Sequence, residues 1–255
     1  CRALLRRSNV QVVCTTDDPL DDLKDHQTCA ADVTFPIATL PTWRPDAILD
    51  IGATAEFAAW VNRLAELTDT GVANVDGLLT ALSIRLDYFH DNGCRLSDHG
   101  LDPIAGDDYQ ADELEVIFTQ AMQGGRVSRK QQRQFQSAML FELGKMYQQK
   151  EWTQQYHIGA LRKTNTRQQS ALGDAKGFDS MGDWSIAEAL SASLNRLDSI
   201  RSLPRTIIYS LNPKDNEAVA SIAGSFQDGE IVGKIQMGSG WWFLDQLDGM
   251  TRNLE

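Results

Sequence analysis

Apolar residues recur every three or four positions in six long stretches of the chain, which is the spacing of an amphipathic helix. The stretch "EFAAWVNRLAEL" at residues 56–67 is one example, with polar residues between the apolar ones. The same spacing predicts helices at residues 75–93, 111–125, 128–150, 185–200 and 215–226. Each predicted helix has one apolar face that can pack against a sheet.

Shorter segments rich in β-branched and aromatic residues separate these helices and predict strands. They lie at residues 10–16, 34–42, 94–98, 154–161, 205–211 and 233–243. Strands that alternate with helices, without hairpins between them, predict a parallel sheet joined by crossover connections. The predicted fold class is therefore α/β, and six strands fit either a doubly wound sheet or most of a (β/α)8 barrel.

Polar or special residues follow each predicted strand at once, in "TDDP", "WRPD", "DHGLD", "HIGALR", "NPKDN" and "GSGWW". Chemistry at the carboxyl end of every strand is typical of a TIM barrel, whereas an open sheet gathers it at one switch point. No GxGxxG or GxxxxGK(S/T) phosphate-binding motif is present. The pattern favours a TIM-barrel type fold with about six of its eight strands, as a single partial barrel domain over residues 1–255 with helical insertions.

Local signals predict where some helices begin and end. Ser128 precedes a helical stretch and is expected to be its N-cap, and "DNG" at residues 91–93 is expected to end a helix. In "DDPLDDL", Asp18 is expected to cap a helix with Pro19 at its first position, although a role in binding hydroxyl groups is the alternative.

Composition narrows the range of partners. The chain of 255 residues has a formal net charge of -11, which argues against nucleic acid or an anionic membrane as a partner. No apolar run approaches the roughly 20 residues that a membrane span needs, and the basic N-terminus lacks the features of a secretory signal. The four cysteines have no CxxC spacing and are expected to be free thiols in a cytoplasmic protein.

The strand ends, read in order, resemble the uronate isomerase family, also called glucuronate isomerase. The resemblance rests on "TTDDPLDDL" (residues 15–23), "LPTWRPD" (40–46), "SDHGLD" (97–102), "QYHIGALR" (155–162), "LNPKDNE" (211–217) and "GSGWWFLDQLDGM" (238–250). Each match alone is weak, but six in series are specific, and they extend over almost the whole chain.

The resemblance implies a (β/α)8 barrel of the amidohydrolase superfamily that interconverts D-glucuronate with D-fructuronate and D-galacturonate with D-tagaturonate. In that pattern the strands here correspond to the second to the seventh. The first strand of the family carries a His-x-His metal-binding pair and the eighth an Asp followed by an Arg, and neither segment occurs here. The chain is therefore expected to be an internal fragment, inactive alone and prone to associate, with a homo-oligomer as one form of association.

The resemblance also implies one divalent metal ion, zinc, in the intact protein, with most of its ligands outside this chain. His157 is the metal ligand expected here and is also the predicted catalytic residue. Without the resemblance, a hydrogen-bonded core histidine is the ordinary interpretation of a histidine at a strand end.

The remaining candidates are predicted to bind the substrate. Arg44 and Arg162 follow strand ends, and a guanidinium group matches a carboxylate with two parallel hydrogen bonds; a solvated surface charge is the alternative for each. Asp98 is expected to orient sugar hydroxyl groups or an arginine, with a structural role as an equal alternative, and His99 beside it is expected to be structural. Trp241 and Trp242 follow glycines and are expected to stack on the sugar ring, with packing in the core as an equal alternative.

Three functions remain open at this point. The first is hexuronate isomerisation by the intact protein. The second is a metal-dependent hydrolase of the amidohydrolase type, which would use the same face of the barrel for a metal-activated water. The third is a non-enzymatic binding module.

Overall fold

Parallel strands form the centre of the computed structural model, which describes residues 2–173 and 177–254. One parallel pair consists of the first two strands, and a second parallel sheet has the order β3-β4-β7-β8. A separate antiparallel pair joins β5 and β6. The strands are β1 (Val12–Cys14), β2 (Ala38–Leu40), β3 (Leu96–Leu101), β4 (Thr153–Ile158), β5 (Ala160–Leu161), β6 (Ser180–Met181), β7 (Arg205–Ser210) and β8 (Ile235–Met237).

Trp43 links the two parallel sheets. Its backbone forms parallel bridges to Asp17, just after β1, and to Ser97 in β3. The parallel strands therefore lie next to one another in the order of the chain, and the predicted parallel α/β architecture is confirmed. Within the described residues β8 does not pair with β1, so the closed eight-stranded barrel stays a prediction.

Helices connect the parallel strands, and the six predicted ones are present. Ser128 caps the longest of them: its Oγ accepts a hydrogen bond from the backbone N–H of Gln131, while the Gln131 side chain accepts one from the Ser128 backbone. The helices are α1 (Arg2–Arg7), α2 (Lys24–Ala31), α3 (Asp46–Leu49), α4 (Thr54–Thr68), α5 (Val75–Asp91), α6 (Ala111–Met122), α7 (Arg129–Gln149), α8 (Thr166–Leu172), α9 (Ala187–Asp198), α10 (Asn216–Ser225) and α11 (Leu247–Leu254).

The apolar faces of these helices pack on the outer side of the sheet and on one another. Phe57 of α4 meets Phe118 of α6 and Phe135 of α7 edge-on, with ring centroids 6.1 and 5.9 Å apart. All three rings are almost fully buried, and each stabilises the fold by about 1.5–3 kcal/mol through the apolar area it removes from water. This layer of helices covers one face of the sheet, and the cavity described below lies on the other face.

Three predictions of local structure are wrong. A hairpin-like excursion, β5 to β6, interrupts the parallel pattern. The last predicted strand, residues 233–243, is shorter than expected: it covers Ile235–Met237, and Trp241 has a backbone φ of 60° that a strand does not allow. No helix begins at Asp18: its carboxylate accepts hydrogen bonds from the Leu20 amide and the Trp60 indole, and the helix that follows starts at Lys24.

The cysteines that the structure describes are free thiols, namely Cys14, Cys29 and Cys94, while Cys1 lies outside the described residues. Burial raises the pKa of the Cys94 thiol to about 12. In the part of the chain described, no helix is both long and apolar enough to cross a membrane.

Candidate active site

The face of the sheet opposite the helices presents the candidate site. In β4, Tyr156 and Ile158 are fully buried among the helices, whereas His157 between them faces the other way and is half-buried. Strand pairing aligns Gly100 of β3 with His157, and His157 with Tyr209 of β7. These three residues therefore form one row across three neighbouring strands.

A cavity of about 440 Å³ opens over this row, at the carboxyl ends of the strands. Its volume is within the range of small-molecule sites. All six residues predicted from the sequence to form the site line it, so the structure brings together side chains from separate strand ends. The lining residues are Thr16, Arg44, Asp98, His157, Arg162, Tyr209, Ser239, Trp241 and Trp242.

The ring of His157 is held on three sides. Its Nδ1 lies 2.5 Å from Asp98 Oδ1, and its face stacks on Tyr209 with ring centroids 4.4 Å apart and an interplanar angle of 5°. Trp241 approaches edge-on, with ring centroids 4.8 Å apart. Within the described residues, Nε2 makes no hydrogen bond, which leaves it available to a ligand.

Asp98 connects His157 to an arginine. Its second oxygen, Oδ2, accepts a hydrogen bond of 2.9 Å from Arg44 Nη1. Burial alone would raise the pKa of Asp98, but the hydrogen bond from His157 and the charge of Arg44 outweigh it and hold the pKa below its usual value. Asp98 is therefore a carboxylate, and Nδ1 of His157 is the donor in their hydrogen bond.

Arg44 is fixed by two carboxylates. Besides the bond to Asp98, its Nε donates to Asp46 Oδ2 at 2.8 Å, and the same oxygen accepts the amide of Gly100 at 3.0 Å. Burial lowers the pKa of Arg44, but the negative charges of Asp46 and Asp98 more than compensate and raise it. The guanidinium group is thus charged and oriented, with its Nη2 unbonded within the described residues.

Arg162 is fixed in the same manner by a different pair. Its Nε donates to Asp102 Oδ2 and its Nη1 to Asp179 Oδ2, both at 2.9 Å. The first carboxylate is itself held by the backbone amides of Gly159 and Ala160. Burial lowers the pKa of Arg162, but its hydrogen bond to Asp179 and the charge of Asp102 outweigh this and raise it.

The two tryptophans differ in their surroundings. Trp241 contacts His157, lies with its ring centre 5.7 Å from the guanidinium carbon of Arg162, and has a buried Nε1 without a hydrogen-bond partner among the described residues. Trp242 begins a short 3₁₀ helix, stacks on Phe243 with centroids 3.7 Å apart, and is 60% exposed. Trp242 is thus not a core residue in the described part of the chain.

A second cavity of about 640 Å³ adjoins the first and shares Arg162 and Trp242 with it. The residues that line it come mainly from the excursion between β5 and β6: Arg162, Lys163, Gln169, Gly177, Phe178, Asp179 and Trp242. Its described lining residues include neither the histidine nor the second arginine of the first cavity. The first cavity is therefore the better candidate for chemistry, although it is the smaller of the two.

Reasoning from the sequence missed several residues that shape the site. Asp46 lies two positions after Arg44 in "TWRPD", a spacing that could have identified it as a partner of the arginine. Tyr209 lies two residues before the end of a predicted strand, on the same face as the cavity. Asp179 lies in the excursion between β5 and β6, where the sequence has no helix or strand periodicity. No signal in the sequence connects it to Arg162.

His99 has the structural role that was expected of it. The side chain is fully buried on the helix side of β3, and its Nε2 is 3.0 Å from the hydroxyl of Tyr147 in α7. Its Nδ1 faces Asp46 Oδ1 at 3.6 Å, which is too long for a hydrogen bond.

The residues present do not by themselves fit a bound zinc ion. Among residues 2–173 and 177–254, no group of three or more His, Cys, Asp or Glu side chains is placed to hold a metal. In the cavity His157 Nε2 has a lone pair free to bind a metal, whereas both oxygens of Asp98 are engaged. One imidazole nitrogen does not form a zinc site. A metal bound by His157 together with ligands from outside this chain stays a prediction.

Comparison with known proteins agrees with the resemblance in the sequence. The chain is 47% identical over 254 residues to the uronate isomerase of Cellvibrio japonicus and 44% identical over 253 residues to that of Bacteroides fragilis. These matches cover 100% and 99% of this chain but 54% of each relative, so the chain spans about half the length of the curated relatives it matches.

Solved structures give the same result. Uronate isomerase from Thermotoga maritima superimposes with a TM-score of 0.90 at 29% identity, over 99% of this chain and 54% of that one. Glucuronate isomerase from Caulobacter crescentus gives a TM-score of 0.86 at 28% identity, over 99% and 51%. The sequence profile described as glucuronate isomerase matches residues 1–255. The chain therefore belongs to the glucuronate isomerase family.

Proposed function

We propose that the protein is an aldose–ketose isomerase of hexuronic acids, which converts D-glucuronate to D-fructuronate and D-galacturonate to D-tagaturonate. The observation that carries this proposal is the single cavity in which Arg44, Arg162 and His157 converge, in a chain of the glucuronate isomerase family. Each arginine is paired with two carboxylates, so the cavity attracts an anion through the unbonded guanidinium N–H groups and not through a net positive charge.

The two arginines would bind the carboxylate of the uronic acid. Each already holds its carboxylate partners through Nε and Nη1, so each guanidinium keeps one orientation and offers Nη2 to a ligand. Charge-assisted hydrogen bonds to a carboxylate are short and about twice as strong as neutral ones. Because both uronates carry the same carboxylate, this part of the site accepts either substrate.

His157 would act at the reacting end of the sugar. Isomerisation removes the proton from C2 of the open-chain aldehyde and returns a proton to C1, through an enediol that forms when the carbonyl oxygen is stabilised. With Nδ1 fixed as a donor to Asp98, Nε2 of His157 can exchange a proton with the substrate oxygens. The base that takes the C2 proton is expected outside this chain, on the first or eighth strand of the family.

The tryptophans would enclose the sugar. Trp241 packs against His157, and the exposed ring of Trp242 lies at the junction of the two cavities. An aromatic face covers the C–H surface of a sugar ring and excludes water from it. Asp98 keeps His157 and Arg44 at fixed positions relative to that surface.

The activity would belong to a protein of family length. In it, the segments expected outside this chain would complete a closed (β/α)8 barrel with these strands as the second to the seventh, in one domain. Closure would cover the exposed edges of β1 and β8, which otherwise favour association between copies. A cytoplasmic location, a homo-oligomer and a zinc ion bound partly by His157 are further expectations of this proposal.

The experiment uses this chain and a family-length protein, built by adding the first- and eighth-strand segments of the Cellvibrio japonicus relative. Both are incubated with D-glucuronate and with D-galacturonate, and the ketose is detected by ¹³C NMR. We expect ketose formation by the family-length protein and none by the chain alone. A folded family-length protein that forms no ketose would overturn the proposal. Release of ammonia or acid from amide and ester substrates would then favour the hydrolase. Tight uronate binding without turnover would favour the binding module.

A further inference from the structure

Gly100 lies beside both arginines of the cavity. A methyl group built on its Cα would be 2.7 Å from Arg44 Nη2, 3.2 Å from Asp46 Oδ2 and 3.6 Å from Arg162 Nη2. Both Nη2 atoms therefore lie within 3.6 Å of one point over the backbone of β3, and the Nη2 of Arg44 takes up the space that a side chain would fill. Among the glycines described, this one has two arginine side chains around the position of its missing Cβ.

Both nitrogens are free to bind at that point. Arg44 uses Nε and Nη1 for Asp46 and Asp98, and Arg162 uses Nε and Nη1 for Asp102 and Asp179. Neither Nη2 donates a hydrogen bond within residues 2–173 and 177–254. Each guanidinium is thus held by two carboxylates and keeps one unbonded nitrogen near the same point. Together the two groups can bind a small planar anion.

We propose that Gly100 is a positioning residue, whose missing side chain gives the Arg44 guanidinium room over β3, so that its Nη2 and that of Arg162 can both bind the carboxylate of a sugar acid. This inference rests on the proposed function and adds the residue that places Arg44 against the carboxylate. The Arg44 guanidinium lies closer to the backbone of β3 than a side chain at position 100 would allow. Neutral sugars of the same shape carry no negative charge and would therefore bind to the two arginines less tightly.

The requirement for glycine is one of space and not of backbone conformation. Gly100 lies within strand β3, outside the left-handed region, so an alanine can adopt its backbone angles. Its methyl group would press on the Arg44 guanidinium, which two carboxylates hold in place, and would displace its Nη2 from the proposed carboxylate. Gly224 in helix α10 is the matched control, because nothing lies within 4 Å of a methyl group added there.

The test measures the dissociation constants of D-glucuronate and of its neutral amide, D-glucuronamide, by calorimetry in the family-length protein. We expect the unmodified protein and Gly224→Ala to prefer the acid by about 10- to 100-fold, the size of two charge-assisted hydrogen bonds. Gly100→Ala is expected to lower this preference to within about threefold of equality while the amide binds nearly as before. Full preference for the acid in a folded Gly100→Ala variant, or no preference in the unmodified protein, would overturn the inference.

Two further results keep this test separate from that of the proposed function. If Gly100→Ala does not fold, the double variant Gly100→Ala/Arg44→Lys replaces it, because it lacks the nitrogen in the 2.7 Å contact. This double variant is expected to fold without a preference for the acid. A folded double variant that prefers the acid contradicts the inference. Acid preference that depends on Gly100 in a protein without isomerase activity would reject the proposed function alone. Isomerase activity with an unchanged preference in Gly100→Ala would reject this inference alone.

Discussion

Asp98 and His157 are joined by a hydrogen bond of 2.5 Å across neighbouring strands, and the same carboxylate holds Arg44 at 2.9 Å. One buried side chain thus fixes both the histidine proposed for proton transfer and an arginine proposed for binding. Because Asp98 is ionised, it determines which nitrogen of His157 carries the proton. The two functions of the cavity are therefore coupled through Asp98.

His157→Gln is expected to lower kcat for D-glucuronate by about 10²- to 10⁴-fold in the family-length protein, the usual contribution of a group that transfers protons. KM is expected to change by less than about threefold, since the arginines remain in place. Steady-state kinetics with direct detection of the ketose measures both. His90→Gln is the control, because that imidazole bonds to Trp152 away from the cavity; an equal loss of kcat in both variants would contradict the role of His157.

Asp98→Asn is expected to lower kcat by about 10- to 100-fold, because the Asp98 carboxylate orients the ring of His157. Since Asp98 acts on kcat through His157, the double variant Asp98→Asn/His157→Gln is expected to have nearly the kcat of His157→Gln alone. The four values of kcat, measured under one set of conditions, form a double-mutant cycle. Losses that simply multiply would mean that Asp98 acts independently of His157.

Asp46→Asn tests how Arg44 is positioned. The change removes the charge that the Nε of Arg44 contacts at 2.8 Å, so the guanidinium loses one of its two anchors. KM for glucuronate is expected to rise by about 5- to 20-fold with little change in kcat, since one charge-assisted hydrogen bond is lost. Asp108→Asn is the matched control, because Asp108 also pairs with an arginine, Arg196, but is fully exposed. A fall in kcat with unchanged KM would not fit this role.

Ser128→Ala is expected to lower the free energy of unfolding by about 1 kcal/mol, because the first turn of α7 loses its capping hydrogen bond. Denaturation by urea measures the change, and the affinity for uronate is expected to stay the same. Ser225→Ala, near the end of α10, is the control, since its hydroxyl bonds to the Ser221 carbonyl of its own helix. An equal loss of stability in both variants would argue against the cap.

The pH dependence of stability follows from the carboxylates of the site. The folded-state pKa of Asp98 and that of Asp46 lie below their ordinary values, so each contributes stability above about pH 4 that is lost as the pH falls through the lowered pKa. Asp98→Asn is therefore expected to be less stable than the unmodified chain at pH 7 and to lose less stability between pH 7 and pH 3. Urea midpoints at the two pH values measure this, and a larger acid loss in Asp98→Asn than in Asp108→Asn would contradict it.

The central strands and the long helices were predicted well, because apolar residues repeat along each of them at the spacing that burial of one face requires. The predicted strands at residues 154–161 and 205–211 largely coincide with β4 and β7, and Ser128 is the cap it was expected to be. The failures have local causes. The two-residue strands β5 and β6 are too short to have a period, and Asp18 binds Trp60, a contact made only in the folded chain.

The site could be predicted to the extent that strand ends determine it. His157, Arg44 and Arg162 lie in one cavity because parallel strands bring their carboxyl ends to one edge of the sheet. The support of each arginine could not be predicted, because Asp179 reaches Arg162 from a separate hairpin. Nor could the role of Gly100, which depends on where two long side chains converge in space.

The measurement that tests the central claim most directly is kcat/KM for the conversion of D-glucuronate to the ketose by the family-length protein and by its Arg44→Lys/Arg162→Lys variant. A lysine retains the positive charge but cannot hold its own carboxylates and the substrate at once. We predict that kcat/KM falls by about 100-fold or more, with Arg129→Lys, an exposed arginine of α7, unchanged. An unchanged kcat/KM in the double lysine variant would contradict the account.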